Sequence, residues 1–140
     1  GEESGGMAIK VHIPERDGLF FGLTGVEMMV KRGKKLSELV QELFDEFGEH
    51  RQSRNDLHTT EAKKQAFLAK LKNEGLSTIN GRAVVKTETI DGYKFLVDGG
   101  WLMFRPSGTE PVLRVYSEAT SQDAADALVA WGVAFVEGDA

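Results

Sequence analysis

The 140-residue chain carries 17 Lys and Arg against 22 Asp and Glu, a formal net charge of −5, and no cysteine. With 41% hydrophobic and 9% aromatic residues it can bury a core, which excludes wholesale disorder, while the acidic balance argues against a nucleic-acid partner. The lack of cysteine removes disulfides, thiolate metal sites and cysteine nucleophiles and leans towards a cytoplasmic compartment. No apolar run reaches the ~20 residues of a membrane helix, so no membrane partner is expected.

The chain opens Gly1-Glu2-Glu3-Ser4-Gly5-Gly6. That composition fits a flexible linker, or a functional loop belonging to a longer protein. Ala8 to Ile13 is expected to be a short extended segment ended by Pro14. Asp17 stands where an N-cap belongs, before an apolar helix from Leu19 to Val30. Its apolar residues run round most of the circumference, a pattern that calls for burial on more than one side and points to a missing packing partner, so residues 1–48 are expected to be partly exposed. The cluster Lys31, Arg32, Lys34 and Lys35 reads as a solvated turn, with Gly33 breaking the helix. Leu36, Leu39, Val40, Leu43, Phe44 and Phe47 then keep helical spacing until Gly48.

His50 to Leu57 is ambiguous, with a strand one option. Thr59 or Thr60 caps a helix from about Glu61 to Glu74 with Phe67, Leu68 and Leu71 inward, and Gly75-Leu76 closes it. Arg82 to Ile90 and Tyr93 to Val97 read as strands joined by a two-residue Asp91-Gly92 turn. Asp98-Gly99-Gly100 turns into a strand from Trp101 to Arg105. Val112 to Ala119 alternates, with Leu113, Val115 and Ala119 on one side and Val112, Arg114 and Tyr116 on the other. Ser121 or Thr120 caps a last helix with Ala124, Leu128, Trp131 and Phe135 on one stripe, ended by Gly138. The class is α+β: an antiparallel C-terminal sheet covered by helices, preceded by a two-helix piece. The division predicted is residues 1–49 and 50–140.

The strongest chemical signal is Arg105-Pro106-Ser107-Gly108-Thr109-Glu110-Pro111. Arg105 offers a planar fork of donors for phosphate or carboxylate. Ser107 and Thr109 add hydroxyls, Gly108 allows a backbone nest, and Arg114 on the next strand can reach back. This is either a monophosphate clamp or a rigid hairpin loop with Arg105 paired to an acid such as Glu110. Glu2 and Ser4, two residues apart, can bind vicinal sugar hydroxyls. In His12-Ile13-Pro14-Glu15-Arg16-Asp17-Gly18, Arg16 is placed to meet an anion. His50 and His58 read as surface residues. No His or carboxylate pair has metal spacing, and no Ser/His/Asp arrangement stands out.

These three motifs, in this order and spacing, resemble the C-terminal part of an α-D-phosphohexomutase, over residues 1 to about 137. The resemblance turns the opening hexapeptide into a sugar-recognition loop. It implies a four-domain enzyme that interconverts hexose 1-phosphate and 6-phosphate through a phosphoserine and a bisphosphorylated sugar, with Mg²⁺ on an aspartate-rich loop. Neither a Thr-Ala-Ser-His-Asn-Pro stretch nor an Asp-Gly-Asp-Gly-Asp loop occurs in the 140 residues. The implied assignment is therefore the remnant of an α/β third domain plus a TATA-binding-protein-like fourth domain, dependent on N-terminal domains of the same protein.

By the resemblance, Glu2 and Ser4 bind sugar hydroxyls, and Arg105, Ser107, Gly108 and Thr109, supported by Arg114, bind the phosphate that is not transferred. Some relatives have lysine where Arg16 stands; an arginine stays charged at neutral pH, which suits binding and not proton transfer. The Glu-Glu-Ser-Gly-Gly opening leans towards phosphoglucomutase. A phosphomannomutase or phosphoglucosamine mutase, and a non-catalytic phosphate-binding module, are the alternatives.

Overall fold

The computed structural model describes residues 1 and 6–138. Two compact units make up the chain, Gly1–Phe47 and Gly48–Ala140.

The first unit holds α1 (Gly18–Arg32) and α2 (Leu36–Phe47). Asp17 caps α1: one carboxylate oxygen accepts the Phe20 N–H at 3.0 Å, and the other lies 2.9 Å from His12 Nε2. The His12 ring stacks on Phe20 with centroids 4.3 Å apart. Gly33, at φ 62°, ends α1 in the left-handed region, which a β-carbon would oppose. The basic turn is tied to acid, for Arg32 and Lys34 both reach Glu42 of α2.

One expectation fails in this unit. Ala8 to Ile13 is not extended; it turns at Lys10 and Val11, and the His12 N–H donates to the Ile9 carbonyl at 3.3 Å. The apolar faces of α1 are uncovered, as expected of a helix without its packing partner: no residue of α1 is buried, and Leu19, Leu23, Val26, Met28 and Val30 are all exposed. Two helices cannot cover a helix that is apolar around its circumference.

The second unit is a six-stranded antiparallel sheet with helices on one face. Its strands are β1 (Arg51–His58), β2 (Thr78–Ile79), β3 (Arg82–Glu88), β4 (Tyr93–Val97), β5 (Gly100–Pro106) and β6 (Val112–Ala119), in the order β1-β6-β5-β4-β3-β2. The helices are α3 (Glu61–Glu74) and α4 (Gln122–Glu137), capped by Thr60 and Ser121. The ambiguous stretch after His50 is thus a strand, and it pairs with β6 from Arg51↔Ala119 to His58↔Val112.

The core lies between sheet and helices. Phe95, Leu102, Phe104, Leu113 and Val115 point inward from β4, β5 and β6. Phe67 of α3 meets Phe104 edge-on at 5.1 Å, and Phe135 of α4 closes the aromatic group. Ser117, also inward, donates its hydroxyl to the Ala125 carbonyl at 2.7 Å, which satisfies a buried polar group. The α4 stripe sits one step round from the expected one. Ala125, Leu128, Val129 and Gly132 are buried, while Ala124, Trp131 and Phe135 flank the core.

Two turns differ from expectation. β3 ends at Glu88, so the β3–β4 connection is the four residues 89–92. The short β2–β3 hairpin turns on Asn80-Gly81, with φ 47° and 74°. That pair of positive angles is what Asn-Gly supplies in a tight hairpin.

Gly100 stands where strands approach most closely. A β-carbon there would lie 2.3 Å from the Glu118 carbonyl oxygen, an atom fixed by sheet pairing. Gly100→Ala should therefore cost about 3 kcal/mol, the upper end for overpacking. Urea unfolding followed by Trp101 and Trp131 fluorescence measures it.

The α1 cap makes a second expectation. The Phe20 N–H, then the His12 side chain, hold the Asp17 carboxyl below its ordinary 3.8. A carboxyl lowered by folding stabilises fully above its unfolded value, and that stabilisation is lost as pH falls through the folded one. Carbon chemical shifts of residues 19–22 should stay helical from neutral pH to about 4 and drift towards coil below. In Asp17→Asn, which keeps a capping oxygen, the drift should vanish.

Candidate functional site

Strand alternation builds the site. Because Phe104, Leu113 and Val115 face the core, Arg105 and Arg114 face the other side of the sheet, directly opposite one another across β5 and β6. Arg105 Nε lies 2.9 Å from Asp91 in the β3–β4 loop. The expected acid partner for Arg105, Glu110, lies instead 3.9 Å from Arg114. Sequence proximity favoured Glu110, but the sheet brings the β3–β4 loop to the Arg105 side of the hairpin.

Arg114 is held differently. Its Nε is buried and has no hydrogen-bond partner, since Asp56 opposite it on β1 stays 4.0 Å away. The Asp56 carboxylate is taken by Arg54, at 2.7 and 2.8 Å. The Arg54 guanidinium holds that carboxyl below the usual aspartate range, and the charges of Arg114 and His58 add to it. A buried donor without a partner costs free energy unless something else accepts from it.

Residues 106–111 connect the two strands. The Ser107 hydroxyl oxygen accepts from the backbone N–H groups of Thr109 and Glu110, at 3.4 and 3.3 Å. The Ser107 N–H itself goes to the Val112 carbonyl at 2.9 Å. The expected open nest is therefore mostly closed on itself, because a serine turn satisfies its amides internally. The Gly108 N–H remains without an acceptor among the described residues. The Ser107 hydroxyl still has its own proton to donate.

Beneath the loop lies Lys64 of α3, 4% exposed. Its Nζ donates to the carbonyls of Ser107 and Glu110, both at 3.1 Å, and pairs with Glu61 at 2.8 Å. Hydrogen bonds from Gln65 and Lys64 hold the Glu61 carboxyl below its ordinary value. A cleft of about 490 Å³ runs between this end of α3 and residues 106–111. Neither Arg105 nor Arg114 lines it; the guanidinium pair belongs to the other face of the sheet.

The structure thus sets Arg105 opposite Arg114 on one face of the sheet and puts Ser107, Gly108 and Thr109 in the loop that joins their strands, lining a cleft that neither arginine lines. Arg16 is exposed in the first unit, with its N–H donating to the Glu15 carboxylate at 3.1 Å. Glu2 and Ser4 lie outside the described residues. Among the described residues no three His, Asp or Glu side chains converge on a point, so these residues offer no ligand set for Mg²⁺. No described helix is long and apolar enough to cross a membrane.

Sequence reasoning missed Lys64, Asp56 and Asp91. Lys64 had a signal, since it shares the buried helical stripe of Phe67, Leu68 and Leu71. A lysine on such a stripe needs acceptors, and a proline-braced loop has carbonyls to give.

Residues 54–131 match the family model of the phosphoglucomutase/phosphomannomutase C-terminal domain, and residues 1–47 match that of its alpha/beta/alpha domain III. A phosphoglucomutase/phosphomannomutase of Thermococcus kodakarensis is 34% identical over 98% of this chain and 28% of its own length. A phosphoglucosamine mutase of Methanococcus maripaludis is 34% identical over 98% of the chain and 29% of its own. A crystal structure described as a phosphomannomutase from Thermus thermophilus superposes with a TM-score of 0.73 and 30% identity, over 99% of this chain and 26% of that one. The chain therefore spans somewhat over a quarter of the length of these relatives. With the β5–β6 loop and the paired arginines inside the matched segment, the chain belongs to the phosphoglucomutase/phosphomannomutase family, as the C-terminal part of such a protein.

Proposed function

We propose that this chain is the substrate-binding portion of a phosphoglucomutase-type enzyme, and that residues 105–114 grip the phosphate of a hexose phosphate that is not being transferred. One observation carries the reading. Two guanidinium groups stand opposite each other across a strand pair beside a hydroxyl-rich loop, and one keeps a buried Nε with no acceptor. A phosphate dianion has the charge and the oxygen lone pairs to satisfy both.

In this reading Arg105 is the main anchor, aligned by Asp91 at its Nε edge. Arg114 supplies a second charge, and the Ser107 hydroxyl, Gly108 N–H and Thr109 hydroxyl complete the cradle. Residues 50–140 form the phosphate-binding domain. Residues 1–49 belong to another domain, in which Glu2 and Ser4 bind sugar hydroxyls and Arg16 has a substrate-binding role. The sugar preference leans to glucose on the opening Glu-Glu-Ser-Gly-Gly sequence, and the compartment is the cytoplasm. Phosphoryl transfer and Mg²⁺ belong to other domains of the full protein, because the sequence contains neither the phosphoserine stretch nor the aspartate-rich loop.

Energy from gripping a remote phosphate can be used to position the reacting end of the sugar. A charged hydrogen bond to phosphate is worth ~1.5–3 kcal/mol. Arg105→Ala in the full-length enzyme should therefore lower kcat/KM roughly ten- to a hundredfold. Arg105→Lys should recover only part, lacking the bidentate fork. Steady-state kinetics with glucose 1-phosphate decides it; a wild-type value in Arg105→Ala would return the loop to a rigid hairpin held by Asp91. The purified 140-residue chain should show no turnover of glucose 1-phosphate to glucose 6-phosphate, since it offers no phosphoryl-accepting group. Coupled-assay turnover above background would contradict that.

A further inference from the structure

We propose that Lys64 is a positioning residue for the phosphate loop: its buried ammonium aims and polarises the Gly108 N–H for an anion without touching that anion. The inference rests on the reading of residues 105–114 as a phosphate site.

An ammonium has three protons and no acceptor capacity. Here the three are matched by the Ser107 carbonyl, the Glu110 carbonyl and the Glu61 carboxylate. At 4% exposure, Lys64 has no proton left for a ligand and little surface to offer one. Such a buried cation is tolerated because it is fully paired. Its effect must pass through the groups it holds.

The Ser107–Gly108 peptide is the route. The peptide plane is rigid, and no described bond is cis. In a trans peptide the C=O and the following N–H point in opposite directions. Pulling the Ser107 carbonyl onto Lys64 therefore turns the Gly108 N–H away from the ammonium and out of the loop's underside. A positive charge on the carbonyl oxygen also draws electron density from the peptide nitrogen and makes its N–H a stronger donor. The second carbonyl held by Lys64, that of Glu110, precedes Pro111, which has no N–H to aim. Of the two peptides that Lys64 grips, only the Gly108 one carries a donor. The neighbouring N–H groups of Thr109 and Glu110 are occupied by Ser107 Oγ, so the donor that Lys64 aims is also the one that the loop leaves available.

The test uses the 140-residue chain labelled with ¹⁵N and titrated with inorganic phosphate and with glucose 6-phosphate. The sequence has no cysteine, so Lys64→Cys creates a single thiol that bromoethylamine, applied to the unfolded protein, converts to an ammonium side chain of nearly lysine length. Wild type should show phosphate-dependent shifts at Ser107, Gly108 and Thr109, with Gly108 the largest. Lys64→Met should bind at least tenfold more weakly, lose the Gly108 response, and show an altered Gly108 ¹⁵N shift even without ligand, while Phe104 and Val115 amides keep their positions. The aminoethylated Lys64→Cys chain should recover both affinity and the Gly108 response.

Equal binding by wild type and Lys64→Met, or an unchanged Gly108 shift in the free Lys64→Met chain, overturns the role of Lys64 and leaves the phosphate site standing. Lost Phe104 and Val115 positions in Lys64→Met transfer the decision to the alkylated chain, where failure to recover affinity in a folded protein overturns the role. A wild-type chain whose loop amides ignore both ligands overturns the phosphate reading itself, and this inference with it.

Discussion

The pairing of β5 with β6 is the constraint on which both core and site depend. A strand has a side-chain period of two, so a register that buries Phe104 against Leu113 and Val115 must also set Arg105 opposite Arg114. Like charges facing each other across a ladder repel. Asp91, Asp56 and Glu110 stand around the pair and offset part of that repulsion, though the latter two keep 4.0 and 3.9 Å from Arg114. The core is what makes the arrangement tolerable: a one-residue slip of β5 would turn Phe104 out of the core and Arg105 into it.

The loop between these strands is held from two directions. Its ends are extensions of β5 and β6, braced by Pro106 and Pro111. Its underside is fastened by Lys64, on the same helix whose Phe67 packs edge-on against Phe104. The helix is thus positioned by aromatic packing and in turn sets the carbonyls of the loop. Inside the loop, Ser107 Oγ accepts the N–H groups of Thr109 and Glu110. Core packing, a buried cation and a serine turn therefore converge on one short segment and fix its backbone.

What the sequence disclosed follows from how local each determinant is. The caps at Asp17, Thr60 and Ser121 are interactions between residues three apart, and they were readable. The alternation of β6 was readable too, since one buried face imposes it. The α4 stripe was displaced by one position because Gly132 is buried by a close approach of Val115 and Leu102, and glycine gives no hydrophobic signal. Asn80-Gly81 was a legible hairpin that went unread. The β3–β4 connection was not legible, because the register shift between Val84 and Lys86 uncouples that hairpin from simple alternation. Arg105, Ser107, Gly108, Thr109 and Arg114 announced themselves through residue chemistry along one hairpin. Asp91 and Asp56 did not, since each reaches the site from a different strand connection or a distant strand, and only the sheet order joins them.

Gly108 separates what the fold requires from what an anion site requires. Gly92 and Gly100 are compelled by the fold, with atoms of Phe104 and Glu118 where a β-carbon would go. Around Gly108 a β-carbon would meet nothing within 4 Å, and its φ lies outside the left-handed region. Packing and backbone angle would accept any residue there. Glycine in a loop carries an entropic cost on folding, and neither the core nor the turn recovers it. The space a side chain would fill lies on the exposed surface of a loop whose amides at Ser107, Thr109 and Glu110 are already bonded. In the proposed reading that absence serves the ligand, because a bare N–H without a side chain beside it lets a phosphate come close.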